Sequence, residues 1–205
     1  YWVDKISVPF NEKNEKHTLL ENLEQELLDR VKFISETCEK VSFNKICECK
    51  GGKMLSKSNF IEGKYPVIGG GMKPCGYHNK FNKDKNTILC SNSGNNSGYI
   101  SRYNIEVWAS DCFSIHSKTL NEDFLYYYFK SIQKSIFKLQ QGSAQPHVHS
   151  KDIAKNIKIP NPDKKFITEL EPKFAQIEQL KLDIQDSETR FEQYIEELGN
   201  EAIKK

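Results

Sequence analysis

Three polar loops that contain glycine carry the most informative side chains of this 205-residue chain. They span residues 69–80, 91–98 and 140–149, and the third contains the run QQGSAQPH at 140–147. A glutamine side chain offers one donor and one acceptor, the pair that matches adenine N6 and N7 in the major groove of DNA. Glycine lets a backbone approach a partner closely, and Ser and Asn supply further hydrogen bonds. Loops of this composition can present both phosphate and base contacts.

Charge is distributed unevenly along the chain. The whole sequence has a net charge of +2, but residues 1–40 carry −3, residues 41–165 carry +10 and residues 166–205 carry −5. A basic segment between two acidic ones is typical of a nucleic-acid-binding domain, because the local field attracts phosphates. The alternative is a lysine-rich surface that only keeps a small domain dissolved. The lysines on or beside the loops are the candidates for phosphate contact: Lys73, Lys80, Lys83 and Lys85.

Apolar periodicity predicts a long amphipathic helix near each end of the chain. Apolar positions between residues 20 and 38 recur at steps of three or four, and those between 170 and 198 share one helical face. Pro172 suits the first turn of the second helix, so we expect the two helices near 14–38 and 172–200. Neither helix can bury its stripe alone. We therefore predict that they pack as an antiparallel, coiled-coil-like pair.

The middle of the chain predicts a compact mixed α/β domain of the α+β class. Short β-type runs occur at 41–43, 65–68, 87–90, 107–109, 112–115 and 157–159. One helix is expected from its cap Asn121 to about Leu139. Its aromatic run, residues 126–129, could form a base-stacking platform, but helical spacing favours the core for Tyr128 and Phe129. Trp108, in a strand among apolar neighbours, is also assigned to the core.

Several classes of site and protein are disfavoured by the sequence. The six cysteines lack C-x-x-C spacing and fit a reducing cytoplasm better than a zinc site or a disulfide scaffold. His147 and His149 could ligate a metal, but the sequence offers no third ligand beside them, and no metal or cofactor is predicted. A DNA methyltransferase would need a glycine-rich cofactor motif and an Asn-Pro-Pro-aromatic motif, whereas Asn161-Pro162 is followed by Asp163.

Membrane insertion is likewise disfavoured. No apolar run approaches the roughly 20 residues that a membrane-spanning helix needs, and the sequence shows no apolar h-region of a signal peptide. Because the sequence begins with Tyr, we expect it to be a piece of a longer protein.

The order of these motifs resembles a target recognition domain from the specificity subunit of type I restriction-modification enzymes. The motifs that carry the resemblance are YPVIGGG at 65–71, GYH at 76–78, ILCSNSGNNSGY at 88–99, WASDCF at 108–113, FLYYY at 124–128, GSAQP at 142–146 and IKIP at 157–160. They cover roughly residues 41 to 160. The helix that follows is similar to the conserved spacer helix of that family.

The resemblance implies a non-catalytic subunit that reads one half of a bipartite site in double-stranded DNA. Its helices would set the distance to the other half and bind a methyltransferase (modification) subunit, with or without a restriction subunit. A second recognition domain or a second copy of the chain would read the other half. The implied domains are a packing helix at 1–40, a DNA target recognition domain at 41–163 and a conserved spacer helix at 164–205.

We expect the DNA-facing surface to be built from the three loops. The predicted contacts are Gly70, Gly71, Lys73, Tyr77, His78, Lys80, Asn92, Ser93, Asn95, Asn96, Gln141, Ser143, Gln145 and His147. His78 could instead serve as a structural hydrogen-bonding group inside its loop. The alternatives to DNA recognition are a coiled-coil adaptor that binds protein and a catalytic methyltransferase fragment.

Overall fold

The structure is a computed structural model that describes residues 2–203, with side chains described for residues 11–197, 199 and 200. Within that range the helices are α1 (Trp2–Thr37), α2 (Phe43–Ile46), α3 (Glu122–Ser131), α4 (Gln133–Phe137), α5 (Ser150–Asn156) and α6 (Lys164–Ile203). The strands are β1 (Lys40–Ser42), β2 (Cys47–Gly51), β3 (Tyr65–Ile68), β4 (Gly76–His78), β5 (Ile88–Ser91), β6 (Ile100–Ser101), β7 (Trp108–Ala109), β8 (Cys112–Ser117) and β9 (Lys158–Pro160).

The chain forms two compact units. The terminal segments, up to Arg30 and from Lys164, form the first unit, and Val31–Asp163 form the second.

The first unit is an antiparallel pair of long helices, as the apolar stripes predict. Side chains of α1 pair with side chains of α6 in opposite chain order: Lys13 with Glu188 at 3.0 Å, Glu24 with Lys181 at 2.9 Å, Glu26 with Lys173 at 2.5 Å and Arg30 with Glu169 at 3.5 Å. Each exposed pair contributes little. The stabilisation comes mainly from the buried stripe, which contains Leu27, Leu170, Phe174, Ile177 and Ile184.

The prediction that Pro172 stands in the first turn of the second helix is wrong. The helix α6 begins at Lys164, and Pro172 lies inside it. Ile167 and Leu170 are buried, so the residues before the proline have an apolar face of their own that favours helix. A proline costs one backbone hydrogen bond there, and the burial of the preceding turns offsets it.

The second unit contains three small sheets. Strands β1 and β9 form an antiparallel pair, and a four-stranded antiparallel sheet has the order β2-β8-β5-β6. The third sheet has the order β4-β3-β7, in which β3 and β7 run parallel. The six predicted β-type runs are all found as strands, with ends that differ by at most two residues. The strands β2, β4 and β6 and the helices α2 and α5 were not predicted.

The predicted single helix at 121–139 is broken. Its start is confirmed, because the side chain of Asn121 caps α3 by accepting a hydrogen bond from the backbone nitrogen of Phe124 at 3.0 Å. At Ile132 the backbone leaves the helical region, with φ −103° and ψ 16°, and α4 starts after it. The break lets Gln133 bond the backbone of another segment, donating to the Gly98 carbonyl at 2.9 Å and accepting from the Ile100 nitrogen at 2.9 Å.

The aromatic residues lie in the core where helical spacing predicts. Tyr128 and Phe129 are buried, and the Tyr128 hydroxyl donates to the Lys158 carbonyl at 2.7 Å. Tyr126 is half-buried under the guanidinium of Arg102, which lies 4.4 Å from its ring centre. Trp108 is buried as well, and its indole nitrogen donates to the Lys53 carbonyl at 2.8 Å. The aromatic run is thus part of the core of the second unit.

We expect Asn121→Ala to lower the free energy of unfolding by about 1 kcal/mol, because the first turn of α3 loses the acceptor for its Phe124 N–H. The measurement is urea unfolding followed by circular dichroism. Asn44→Ala, which removes an exposed amide in the same unit, is the matched control and should stay within about 0.5 kcal/mol of wild type. Equal unfolding midpoints for the two variants would contradict the capping role.

Candidate nucleic-acid interface

The second and third loops, residues 91–98 and 140–149, lie side by side in the second unit. The backbone nitrogen of Gly94 donates to the Pro146 carbonyl at 2.9 Å, and the nitrogen of Val148 donates to the Asn92 carbonyl at 2.9 Å. Between these two hydrogen bonds, Ser93 of the second loop pairs with His147 of the third in a short antiparallel bridge. The two loops therefore form one continuous surface.

Two glutamines hold the second loop in place. Gln140 donates its side-chain amide to the carbonyls of Asn95 at 3.2 Å and Ser97 at 2.9 Å, while Gln133 bonds Gly98 and Ile100. Both side-chain amides are engaged within the protein, so they help to position the second loop. Neither was among the predicted contacts, and the role of Gln133 depends on the break at Ile132, directly after α3 ends.

The first loop, residues 69–80, meets the second loop at Gly70. A Cβ placed on Gly70 would lie 2.3 Å from the carbonyl oxygen of Ser93, a distance that no side chain tolerates. The hydroxyl of Ser91 donates to the Gly69 carbonyl at 3.4 Å across the same contact. Glycine is therefore required at residue 70 for the close approach of two backbones.

Asp111 stands at this junction. Its carboxylate accepts a hydrogen bond from the Ser93 hydroxyl, and its backbone carbonyl accepts one from the Asn92 nitrogen at 3.1 Å. It lies in the turn between β7 and β8 and is partly exposed. The prediction of contacts missed Asp111 because a search for positive and amide groups passes over an acid. The available signal was its place in the WASDCF motif at 108–113.

Most of the predicted contact residues reach solvent. Those that are exposed are Gly71, Lys73, Tyr77, Lys80, Asn95, Gln141, Ser143 and Gln145. Those that are partly exposed are Gly70, Asn92, Ser93, Asn96 and His147. Tyr77 is 57% exposed, and Met72, which was not predicted, is 53% exposed near the tip of the β3–β4 hairpin. The contacts at Gly70, Ser93 and His147 join the three loops.

The prediction that His78 contacts DNA is corrected by its burial. His78 is only 5% exposed, and its Nδ1 accepts a hydrogen bond from the Ile61 backbone nitrogen at 3.2 Å. Its ring stands edge-on to the Trp108 ring, with 5.0 Å between ring centres. On β4 the side chains alternate, so the exposed Tyr77 and the buried His78 point to opposite faces. His78 therefore serves as a structural hydrogen-bonding group, the alternative considered from the sequence.

The loop lysines differ in their exposure. Lys73, Lys80 and Lys85 are exposed, whereas Lys83 is half-buried. Burial lowers the pKa of Lys83, and the neighbouring charge of Lys50 lowers it further. The exposed lysines are the better candidates for phosphate contact, because their ammonium groups are accessible to a partner.

Other groups in the described residues offer little chemistry. Burial raises the pKa of the Cys47, Cys49 and Cys112 thiols to about 12, so they stay protonated at neutral pH. The rings of His147 and His149 are stacked with 5.8 Å between their centres. Across the described residues, no group of three or more His, Cys, Asp or Glu side chains could hold a metal ion. The same part of the chain contains no helix that could cross a membrane.

Comparison with known families gives one match that covers most of the chain. The model of the type I restriction modification DNA specificity domain matches residues 35–183. This range includes all three loops and the first half of α6.

Individual relatives agree with that match. A type I specificity subunit of Mycoplasma genitalium is 28% identical over 136 residues, which are 64% of this chain and 35% of the relative. One from Mycoplasma pneumoniae is 32% identical over 126 residues, 59% of this chain and 33% of the relative. The chain thus spans about a third of the length of the curated relatives that it matches.

Solved structures show the same fold. The crystal structure of the S subunit of a type I system from M. genitalium has a TM-score of 0.58 at 28% identity, over 70% of this chain and 38% of that one. A structure that addresses complex assembly and conformational transition of the type I system has a TM-score of 0.54 at 16% identity, over 94% and 55%. The HsdS subunit of Thermoanaerobacter tengcongensis has a TM-score of 0.50 at 15% identity, over 92% and 51%.

Proposed function

This chain belongs to the family of type I restriction-modification DNA specificity domains, and on that premise we propose that its second unit recognises a base sequence in double-stranded DNA. The observation that carries the proposal is the junction of three polar loops into one surface, through the Gly94–Pro146, Asn92–Val148 and Gly70–Ser93 contacts. A surface of this kind offers many hydrogen-bonding groups on a rigid support, which sequence recognition requires.

Charge supports DNA as the partner of this surface. The loops belong to the segment 41–165, whose net charge is +10, whereas the terminal segments carry −3 and −5 and would repel phosphate. We propose that Lys73 and Lys80, which are exposed on the first loop, contact backbone phosphates and fix the register on the duplex. An adaptor that binds a neutral protein surface would have no need of this charge distribution.

Base reading is assigned to the exposed amides. Gln141 and Gln145 project from the third loop and Asn95 from the second, and all three are exposed. An amide can pair with adenine through both its donor and its acceptor, and one such pair discriminates by about 1–3 kcal/mol. A few such contacts specify only a few base pairs. We therefore propose that the chain reads one half of a bipartite site, and that a second recognition domain or a second copy reads the other half.

We further propose that the chain acts without catalysis of its own. The domains assigned to these roles are a packing helix at 1–40, the target recognition domain at 41–163 and a spacer helix at 164–205. The spacer and packing helices would set the distance between half-sites and bind a modification subunit, which carries the methyl-transfer chemistry. The described residues supply loops for binding and core residues for support, and the buried thiols of Cys47 and Cys112 are unsuited to act as nucleophiles.

The test is selection of duplexes from a random pool by the purified 205-residue chain, followed by titration of the selected duplex and a scrambled one at increasing salt. With about four phosphate contacts, affinity should fall about a hundredfold between about 50 and about 200 mM salt. The selected duplex should bind more tightly than the scrambled one throughout. If the affinity changed neither with salt nor between the two duplexes, the proposal would be rejected in favour of a protein-binding adaptor.

Catalysis is tested in the same preparation. The protein is incubated with the selected duplex, magnesium and S-adenosylmethionine, and methyl incorporation and strand cleavage are measured. Sequence-preferring binding without turnover is the expected result. Methyl transfer or cleavage by the chain alone would contradict the non-catalytic role.

A further inference from the structure

The carboxylate of Asp111 lies where the first and second loops meet. It accepts a hydrogen bond from the Ser93 hydroxyl, and the Cβ position of Gly70 lies 3.3 Å from its Oδ2. Ser93 and Gly70 are both partly exposed, as Asp111 is. The carboxylate is therefore part of the surface that the proposed function assigns to DNA.

The charge of Asp111 is out of place on a surface that binds phosphate. The sequences of the three loops, 69–80, 91–98 and 140–149, contain no acidic residue at all. Within the part of the chain that the structure describes, Asp111 takes part in no ion pair, so its charge is not neutralised by a lysine or arginine. A carboxylate in this position repels every phosphate that approaches it.

The fold does not need that charge. An asparagine oxygen could accept the same hydrogen bond from Ser93, and the Asn92 nitrogen bonds the backbone carbonyl of residue 111, which any side chain would leave unchanged. A carboxylate has about four lone-pair sites, and the Ser93 hydroxyl occupies one of them at Oδ2. The remaining sites can accept from a donor on the partner.

We propose that Asp111 is a specificity-determining residue that accepts a hydrogen bond from the N4 amino group of a cytosine in the major groove, an inference that rests on the proposed function. Cytosine presents there a donor and no acceptor of its own, whereas guanine and thymine present acceptors that a carboxylate repels. Adenine presents its N6 donor beside the N7 acceptor, so it suits a carboxylate less well. Ser93 positions the carboxylate for this contact by fixing one of its oxygens.

The test compares Asp111→Asn with wild type in the duplex selection, using the full 205-residue chain. Asparagine retains the acceptor for Ser93 but adds a donor, so it matches the N6 and N7 pair of adenine. We expect the variant to lose about tenfold of the preference for cytosine at one base pair and to gain adenine there. We also expect it to bind the scrambled duplex more tightly than wild type, because one repelling charge is gone. If Asp111 only held the loops together, asparagine would preserve the wild-type preference.

The first part of a second measurement uses wild type only, so it does not depend on how a variant folds. Each cytosine of the selected duplex is replaced in turn by a 2-pyrimidinone nucleoside, which lacks the N4 amino group, and binding to wild type is measured. One replacement should weaken binding about tenfold, and Asp111→Asn, or Asp111→Ser if the first variant unfolds, should be insensitive at that same position. A wild-type scan with no sensitive cytosine overturns the inference, whatever the variants do.

The outcomes separate the inference from the proposed function. If wild type selects no sequence, the proposed function fails and the inference fails with it. If wild type selects a sequence and Asp111→Asn selects the same one, only the inference is overturned. A change confined to one base pair supports both.

Discussion

Replacing Gly70 by alanine is expected to separate the first loop from the second and to abolish the sequence preference of the protein. The new Cβ would lie 2.3 Å from the Ser93 carbonyl oxygen and 3.2 Å from its carbonyl carbon, and both are backbone atoms that cannot rotate away. One of the two loops must therefore move, and the Ser93 hydroxyl that bonds Asp111 moves with it. Overlap of this kind costs about 1–3 kcal/mol of stability in a well-packed region.

The measurements are urea unfolding and binding to the selected and scrambled duplexes. Gly51→Ala is the matched control, because a Cβ on Gly51 would have no atom within 4 Å. We expect the control to stay within about 0.5 kcal/mol of wild type, whereas Gly70→Ala binds both duplexes with the same reduced affinity. If Gly70→Ala kept the full ratio between the two duplexes, the junction of the loops would have no part in recognition.

The elements that the sequence predicts correctly are those decided by local patterns. The apolar stripes of α1 and α6 repeat with the period of a helix, and Asn121 has the side chain that caps one. The strand β3 reads YPVI, a short apolar run before three glycines, and it needs no knowledge of its neighbours. In each case the physical cause lies within a few residues of the element.

The elements that escaped prediction depend on distant partners. The strand β2 reads CECKG, a weak β pattern, and it is a strand because it pairs along its whole length with β8. The helix breaks at Ile132, and the side chain of Gln133 then forms hydrogen bonds with the backbone of Gly98 and Ile100. The apolar pattern of a helix gives no sign of these distant partners. Apolar periodicity alone placed Pro172 in the first turn of α6, although the spacer helix implied by the family resemblance begins at residue 164; Ile167 and Leu170, before the proline, are buried in the folded protein. Tertiary contacts override local propensity in all three.

In the candidate site, too, features set by local sequence were predicted and features set by distant contacts were not. Polar, glycine-bearing composition predicted the three loops as the candidate site, and contacts at Gly70 and Gly94 join these loops in the structure. Composition could not tell that His78 points inward while Tyr77 points outward, because alternation on β4 becomes visible only once β4 is known to be a strand. Nor could it show that Asp111 meets Ser93, since 18 residues separate them in the sequence.

Lys73→Ala and Gln145→Ala are expected to weaken DNA binding in two different ways. Both side chains are exposed, Lys73 on the first loop and Gln145 on the third. A lysine that neutralises a phosphate contributes equally on every sequence, so Lys73→Ala should weaken the selected and scrambled duplexes alike and reduce the slope of log affinity against log salt by about 1. Gln145→Ala should leave the slope unchanged and reduce the ratio between the two duplexes about tenfold, because it removes a base contact.

Salt titration of both variants on both duplexes makes the comparison. Lys57→Ala and Gln176→Ala are the controls, since each removes an exposed side chain of the same type outside the three loops. Neither should change the slope or the ratio, apart from a small effect of Lys57 through the general field. If lysines provide affinity and amides provide specificity, Lys73→Ala must change the salt slope and Gln145→Ala must change the ratio between the duplexes, and not the reverse. If both loop variants behaved like the controls, the three-loop surface would have to be abandoned as the DNA contact. If both changed only the salt slope, the third loop would contact the phosphate backbone and base reading would lie elsewhere on the second unit.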